Sequence, residues 1–272
     1  SAFLMVSRME EYDTHVRDRF DRFPGTGSIL HQYGLLEKAV VNRWARLIAQ
    51  KIEEKQGCPV FPTKKFSFLS TIDVDNAWAY LHKGFFRTAG SLARRVLQGN
   101  PAELWEQVRV LAGKAADPYD NFNYMTHLFR GNEEKLRFFF LVGDYARNDR
   151  QVSPKNREFR KLIAEMHRAF RVGLHPSYAS SQDPSGEMIR KEKERLEKIM
   201  DGEVTLSRQH FLMLRFPTTY RLLAGAGIRE DYSMGFADLP GFRAGICSPF
   251  YFYDLEREET TRLLIIPFQV MD

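Results

Sequence analysis

Phe66-Ser-Phe-Leu-Ser-Thr-Ile-Asp73-Val-Asp75-Asn-Ala-Trp78 reads as an apolar, β-branched strand that ends on two carboxylates. Side chains alternate faces along a strand, so Asp73 and Asp75 project to the same side. Two like charges that close are costly unless a cation neutralises them or one keeps its proton. The neighbouring sequence offers no such cation. The pair therefore predicts a metal-assisted hydrolytic site at the carboxyl end of a sheet, where α/β folds place their chemistry.

Working outward from this strand, Leu36, Val40, Trp44, Leu47, Ile48 and Ile52 recur at helical spacing and predict an amphipathic helix over residues 34–55. Gly57-Cys-Pro59 ends it. Downstream, a helical region is expected between Ala77 and Gly99, and Pro101 with Glu103 opens another helix running to about Lys114. Leu136 to Gly143 reads as a buried strand, 156–170 as a helix, and Arg171-Val-Gly-Leu174 as a strand delivering His175. A charged helix over 186–200 is followed by strand then loop over 204–214, a helix over 218–226 and a late strand, Arg262-Leu-Leu-Ile-Ile-Pro267. This alternation favours an α/β fold, a mainly parallel sheet or barrel wrapped by helices, in one domain with an N-terminal arm.

Composition narrows the function classes. At 272 residues with 43% hydrophobic residues and 22 Phe, the chain can bury a large core. No apolar run approaches the roughly 18 residues of a membrane span. The start, Ser1-Ala-Phe-Leu-Met-Val6, has no basic region or cleavage site of a secretory signal, which predicts a cytoplasmic protein whose true amino terminus lies upstream. Cys58 and Cys247 are expected to be structural thiols in a reducing compartment. The net charge of +5 is spread among acids, with Glu187 and Lys191, and Glu194 and Lys198, at i,i+4 spacing. That pattern belongs to a solvated helix face and argues against a nucleic-acid partner.

His175 ends an apolar strand and precedes Pro-Ser-Tyr178, a loop that would expose its ring. A lone strand-end histidine is commonly structural, but beside an Asp-x-Asp strand end it becomes a candidate ligand for zinc or a similar ion. If Ser207-Arg208-Gln-His210 is a strand, Arg208 and His210 share a face; an ordinary polar strand end is the competing reading. Phe236, Phe242, Phe250, Tyr251 and Phe252 suit either a sugar-binding cleft or simple core packing. His15, His31, His82, His127 and His167 are expected to be uninvolved, the last three within helices.

Asp73-Val-Asp75, His175-Pro-Ser-Tyr178, Arg208-Gln-His-Phe211, Asp231-Tyr-Ser-Met-Gly235 and Gly241-Phe-Arg-Ala-Gly245 occur in the order of the polysaccharide deacetylase (NodB-homology) superfamily. The chain resembles its bacterial branch with a long N-terminal extension, found in surface-polysaccharide gene neighbourhoods. The resemblance covers residues 60–272, with 1–59 as an arm similar to the end of that extension. It implies a distorted seven-stranded (β/α) barrel with a divalent metal, zinc foremost, at the carboxyl ends of the strands. It places the general base on Asp73, the metal on Asp75 and His175, and an orienting arginine on Arg208. Tyr178, Asp231 and Arg243, within the matched motifs, are expected to bind a carbohydrate substrate.

Two departures stand out. The second histidine of the family's His-x-x-x-His motif falls on Ala179, leaving a ligand position for His210, with water or Asp144 as alternatives. The family's later histidine, which protonates the leaving amine, has no counterpart before Met271-Asp272, so the barrel is expected to lack its last segment and the general acid is unassigned. The implied activity is removal of an acetyl group, N-acetyl before O-acetyl, from a sugar, with the oxyanion held by the metal and a backbone N–H near Tyr178. A carbohydrate-binding or scaffolding barrel without catalysis is the alternative.

Overall fold

A computed structural model describes residues 2–13, 16–62 and 65–271. Among the described residues seven strands form one sheet: β1 (Ser70–Val74), β2 (Leu136–Phe140), β3 (Arg171–Leu174), β4 (Leu206–Ser207), β5 (Glu230–Asp231), β6 (Phe250–Asp254) and β7 (Glu259–Ile265). Their order is β1-β2-β3-β4-β5-β7-β6. Every neighbouring pair is parallel except β6 with β7. The expected mainly parallel α/β sheet is present, but it does not close into a barrel. β1 and β6 are its two edges and do not pair, since β6 turns back antiparallel on β7 instead of reaching β1.

The faces of the sheet follow from alternation and register. Ile72 aligns with Phe138 and Val172, and Val74 with Phe140 and Leu174. These side chains share one face, packed against Phe159, Ile163 and Met166 of helix Arg157–Ala169 and Leu196 of helix Glu187–Met200 in the main core. The opposite face carries Asp73, aligned with Phe139 and Gly173, and a smaller cluster of Phe139, Leu206 and Tyr232. A Cβ on Gly173 would lie 2.7 Å from the Phe139 ring and 2.8 Å from Leu206 Cβ. Glycine is required there because two larger side chains already fill the row.

Several predicted elements are shorter than the patterns suggested. β1 begins only at Ser70, with Phe66 and Phe68 exposed before it. The helix near Val40 spans Val40–Gln56, closed by Gly57 at φ 70. Between Ala77 and Gly99 only Phe85–Leu97 is helical, and His82 sits in the preceding turn against Trp78. The helices over 157–169, 187–200 and 218–225 stand where periodicity placed them. Both thiols are free and exposed, and Cys247 Sγ lies 3.3 Å from Asn42 Oδ1. No helix among the described residues is long and apolar enough to cross a membrane.

The N-terminal arm is stitched onto the sheet. Glu11 is fully buried between Arg8 and Arg243, with Arg8 Nε 2.7 Å and Arg243 Nε 2.9 Å from its Oε1. The Gly25 N–H donates to Asp238 at 2.9 Å, and backbone bonds join Val41 to Gly245 and Phe242 to Leu36. Arg22 donates to the Phe211 carbonyl at 3.1 Å, and Phe20 packs on the Phe211 ring.

Candidate metal centre

Parallel strands deliver their carboxyl ends to one edge of the sheet, so residues far apart in sequence meet there. Asp75 lies one residue beyond β1, His175 one beyond β3 and Arg208 one beyond β4. β4 stops at Ser207, so His210 does not come from a strand. It opens a single turn in which Phe211 adopts φ 58, and this turn swings the imidazole toward Asp75.

His175 Nε2 lies 3.1 Å and His210 Nε2 3.6 Å from the same Asp75 oxygen. The three candidate ligand atoms fall within 4.8 Å of one another. Each imidazole has its other nitrogen engaged. His175 Nδ1 is 2.5 Å from the Arg208 carbonyl, and His210 Nδ1 is 2.9 Å from Asp149 Oδ1. Those contacts fix the tautomers that turn both Nε2 atoms toward Asp75, the arrangement that supports histidine ligands in metal sites. One carboxylate oxygen and two imidazole nitrogens suit zinc and similar divalent ions and leave coordination positions open for water and substrate.

The electrostatics match a site built around positive charge. Burial opposes ionisation of Asp75, but hydrogen bonds from His175 and His210 overcome it and hold the carboxyl far below the usual range. Burial would likewise discharge His210, yet Asp149 and Asp75 on either side push its pKa up to about 9. A divalent ion held by these groups would take the place of that proton.

Asp73 stands beside the cluster on the same face. Its Oδ2 is 3.3 Å from Arg208 Nε, while its Oδ1 is buried without a hydrogen-bond partner. Arg208 is itself immobilised, donating to Thr71 Oγ1 and lying 4.4 Å over the Phe268 ring. Asp73 is therefore held next to a buried guanidinium, with Oδ2 on the Arg208 side and Oδ1 enclosed.

The remaining expected site residues are distributed differently. The Tyr178 ring packs on Phe211 at 5.5 Å, next to the turn that carries His210. Its N–H, expected to hold the oxyanion, already donates to Asp149 at 2.7 Å, and the Ala179 N–H donates to the other Asp149 oxygen at 3.0 Å. Asp144 is exposed and paired with Arg195 at 3.1 Å, outside the ligand cluster. Asp231 aligns through Ser207 and Leu174 with Val74, which puts it on the face opposite Asp73. There it is fully buried and accepts from Ser207 and Ser233, with burial raising its pKa to about 6. Arg243 is also buried, bound to Glu11 and the Gly235 carbonyl, so it anchors the arm and has no open side for a substrate. Phe236 and Phe252 are core, and Tyr251 is exposed on edge strand β6. His15 lies outside the described residues.

Asp149 is the member that strand patterns do not reveal. It sits in the irregular segment between β2 and helix Arg157–Ala169, yet it orients His210 and ties down the loop after His175. The signal available was positional: an acidic residue on the connection leaving the carboxyl end of a central strand.

Residues 1–57 match a model described as a family of unknown function (DUF7033). Among curated proteins none matches the chain's sequence. Solved structures similar to it include one described as a polysaccharide deacetylase from Mycobacterium smegmatis, at 15% identity and a TM-score of 0.44, covering 76% of this chain and 62% of that one. Another is IcaB from Ammonifex degensii, at 14% identity and 0.36, covering 63% and 86%. A third is Puue allantoinase, at 14% identity and 0.38, covering 74% and 61%. The chain thus spans less than two thirds of the first and third of these.

Proposed function

We propose that this protein is a metal-dependent hydrolase that removes an acetyl group, N-acetyl in the first instance, from a carbohydrate. One observation carries the reading. Asp75, His175 and His210 bring their ligand atoms within 4.8 Å of one another, while Asp73, two residues before Asp75 on the same strand face, is ion-paired with Arg208. A bound divalent ion would polarise the acetyl carbonyl and lower the pKa of a water from ~15.7 toward ~7. Asp75, His175 and His210 are the residues that would hold it. Asp73 would accept the proton of the attacking water, with Arg208 Nε 3.3 Å from its Oδ2 favouring the ionised carboxylate. Asp149 acts one step back, orienting His210 and holding the loop that follows His175. Positioning a base in this way is worth roughly 10²–10⁴-fold in rate.

A second reading, a glycan-binding module without catalysis, draws support from the Tyr178 N–H being committed to Asp149 and so withheld from an oxyanion. Acetate release from N-acetylglucosamine oligomers by the zinc-loaded protein separates the two. Asp73→Asn is expected to keep the metal and lose turnover, and Asp75→Asn to lose the metal. Turnover retained in both variants would sink the hydrolase scheme; no turnover in the metal-loaded parent would favour the binding module.

A further inference from the structure

The connections leaving β1 and β2 enclose a cavity of about 500 Å3 that the scheme above does not use. Lys83, Arg87, Lys155 and Arg195 line it, with Asp144 as its one carboxylate. Asp144 is taken by Arg195 at 3.1 Å. No carboxylate among the described residues forms an ion pair with the other three cations. Arg87 donates only to the carbonyls of Gln151 and Arg150, at 2.9 and 2.7 Å, and Lys83 Nζ approaches the Asn76 side-chain oxygen at 3.5 Å. A concave wall of uncompensated cations concentrates its field on an anion.

Two further features say what kind of anion. Gln151, 2% exposed, donates to the Gly143 carbonyl at 2.5 Å and lines the cavity with a buried Oε1 that has no partner. An orphaned acceptor of this kind calls for an O–H or N–H donor. Tyr145 also lines the cavity, with Arg87 4.6 Å over its ring and 62% of the residue still exposed. An open aromatic face suits the C–H face of a sugar ring. The cavity is tied by chain to the metal centre: its Lys83 approaches the side chain of Asn76, the residue after Asp75, and its Gln151 stands two residues after Asp149, which holds His210. A second hollow of about 420 Å3 shares Lys155 and Arg195 and adds Arg160, extending the positive surface.

The geometry points to a subsite for an acidic sugar: a uronate carboxylate against Lys83, Arg87 and Lys155, a hydroxyl donated to Gln151 Oε1, and a ring face on Tyr145. This rests on the carbohydrate reading and narrows it to an acidic glycan in which a uronate neighbours the N-acetylated unit.

Calorimetry on the zinc-loaded full chain tests it with two tetrasaccharides. One alternates N-acetylglucosamine with glucuronate, and the other is all N-acetylglucosamine. The acidic one is expected to bind about tenfold tighter at low salt, with the preference shrinking as salt rises. Lys83→Gln/Lys155→Gln should abolish the preference while leaving binding of the neutral tetramer and the thermal midpoint unchanged. Equal affinities, or a preference that survives in the double variant, overturn the inference. Displacement of the acidic probe by inorganic phosphate at lower concentration than by free glucuronate also overturns it, reassigning the cavity to phosphate. Acidic preference without acetate release leaves this inference standing and removes the hydrolase reading. Acetate release from both probes without preference does the reverse.

Discussion

His210 sits between the carboxylates of Asp75 and Asp149, and that placement couples metal binding to protons. In the metal-free chain its imidazole keeps a proton up to about pH 9, so a metal must displace it. Zinc affinity is therefore expected to rise about tenfold per pH unit across neutrality, flattening above the folded pKa. Competition with a chelator of known protonation measures this, and an affinity independent of pH would remove His210 from the ligand set. Asp149→Asn keeps the shape but weakens the orienting contact, and is expected to cost about 10–100-fold in zinc affinity. An unchanged affinity would show that the turn alone positions His210. Asp73, Asp75 and His175 were legible because each ends an apolar strand pattern. Arg208 and His210 were legible as residues but not as geometry, since the turn at Phe211, and not a shared strand face, brings His210 inward. Asp149 was marked only by its place on the connection after β2, because an irregular connection has no period to read.

β3 illustrates what a single strand must satisfy. Gly173 lies under the Phe139 ring and against Leu206, so Gly173→Ala should overpack the row and cost about 1–3 kcal/mol in urea unfolding. Helix Glu187–Met200 supplies the counterpart on the loop after β3. Its Glu192 accepts from the Ser177 N–H at 3.0 Å and the Ser177 hydroxyl at 2.5 Å, two residues beyond His175. Burial raises the Glu192 pKa to about 7, against 4.5 for an unburied glutamate. Its contribution to stability is therefore fully present below pH 4.5 and is lost as pH rises through 7. Glu192→Gln should flatten the stability profile over that window, read from urea midpoints, and an unaltered slope would refute the assignment. β4 and β5, two residues each, are too short to leave a pattern. The antiparallel β6, Phe-Tyr-Phe-Tyr-Asp, reads equally well as aromatic lining or as strand.

Across the chain, the arm and the sheet are joined through one buried charge network. Arg8, Glu11 and Arg243 are almost wholly inaccessible, and the two arginines hold the Glu11 carboxyl below its ordinary range against the opposing effect of burial. Glu11→Ala would leave the buried Arg243 guanidinium without a carboxylate while Arg8 keeps Glu10 at 2.7 Å, an expected loss of about 3–5 kcal/mol read by urea unfolding. A loss below about 1 kcal/mol would mean the network is solvated on opening and the arm is held mainly by Phe23, Leu30, Leu36 and Val40.

The residue order alone determined the α/β alternation, the two carboxylates on one strand face and the candidacy of His175, because periodicity and strand-end position are local properties of the chain. It did not determine sheet closure or the setting of Asp231 and Arg243, where the family resemblance implied a barrel and substrate contacts that the fold does not show, nor which residue completes the ligand set. Those were decided in three dimensions. Pairing of β6 with β7 leaves β1 as an edge, the turn at Phe211 carries His210 to Asp75, and burial turns Asp231 and Arg243 into internal ties. Sheet order and burial depend on contacts between segments tens to hundreds of residues apart, and no local pattern encodes them.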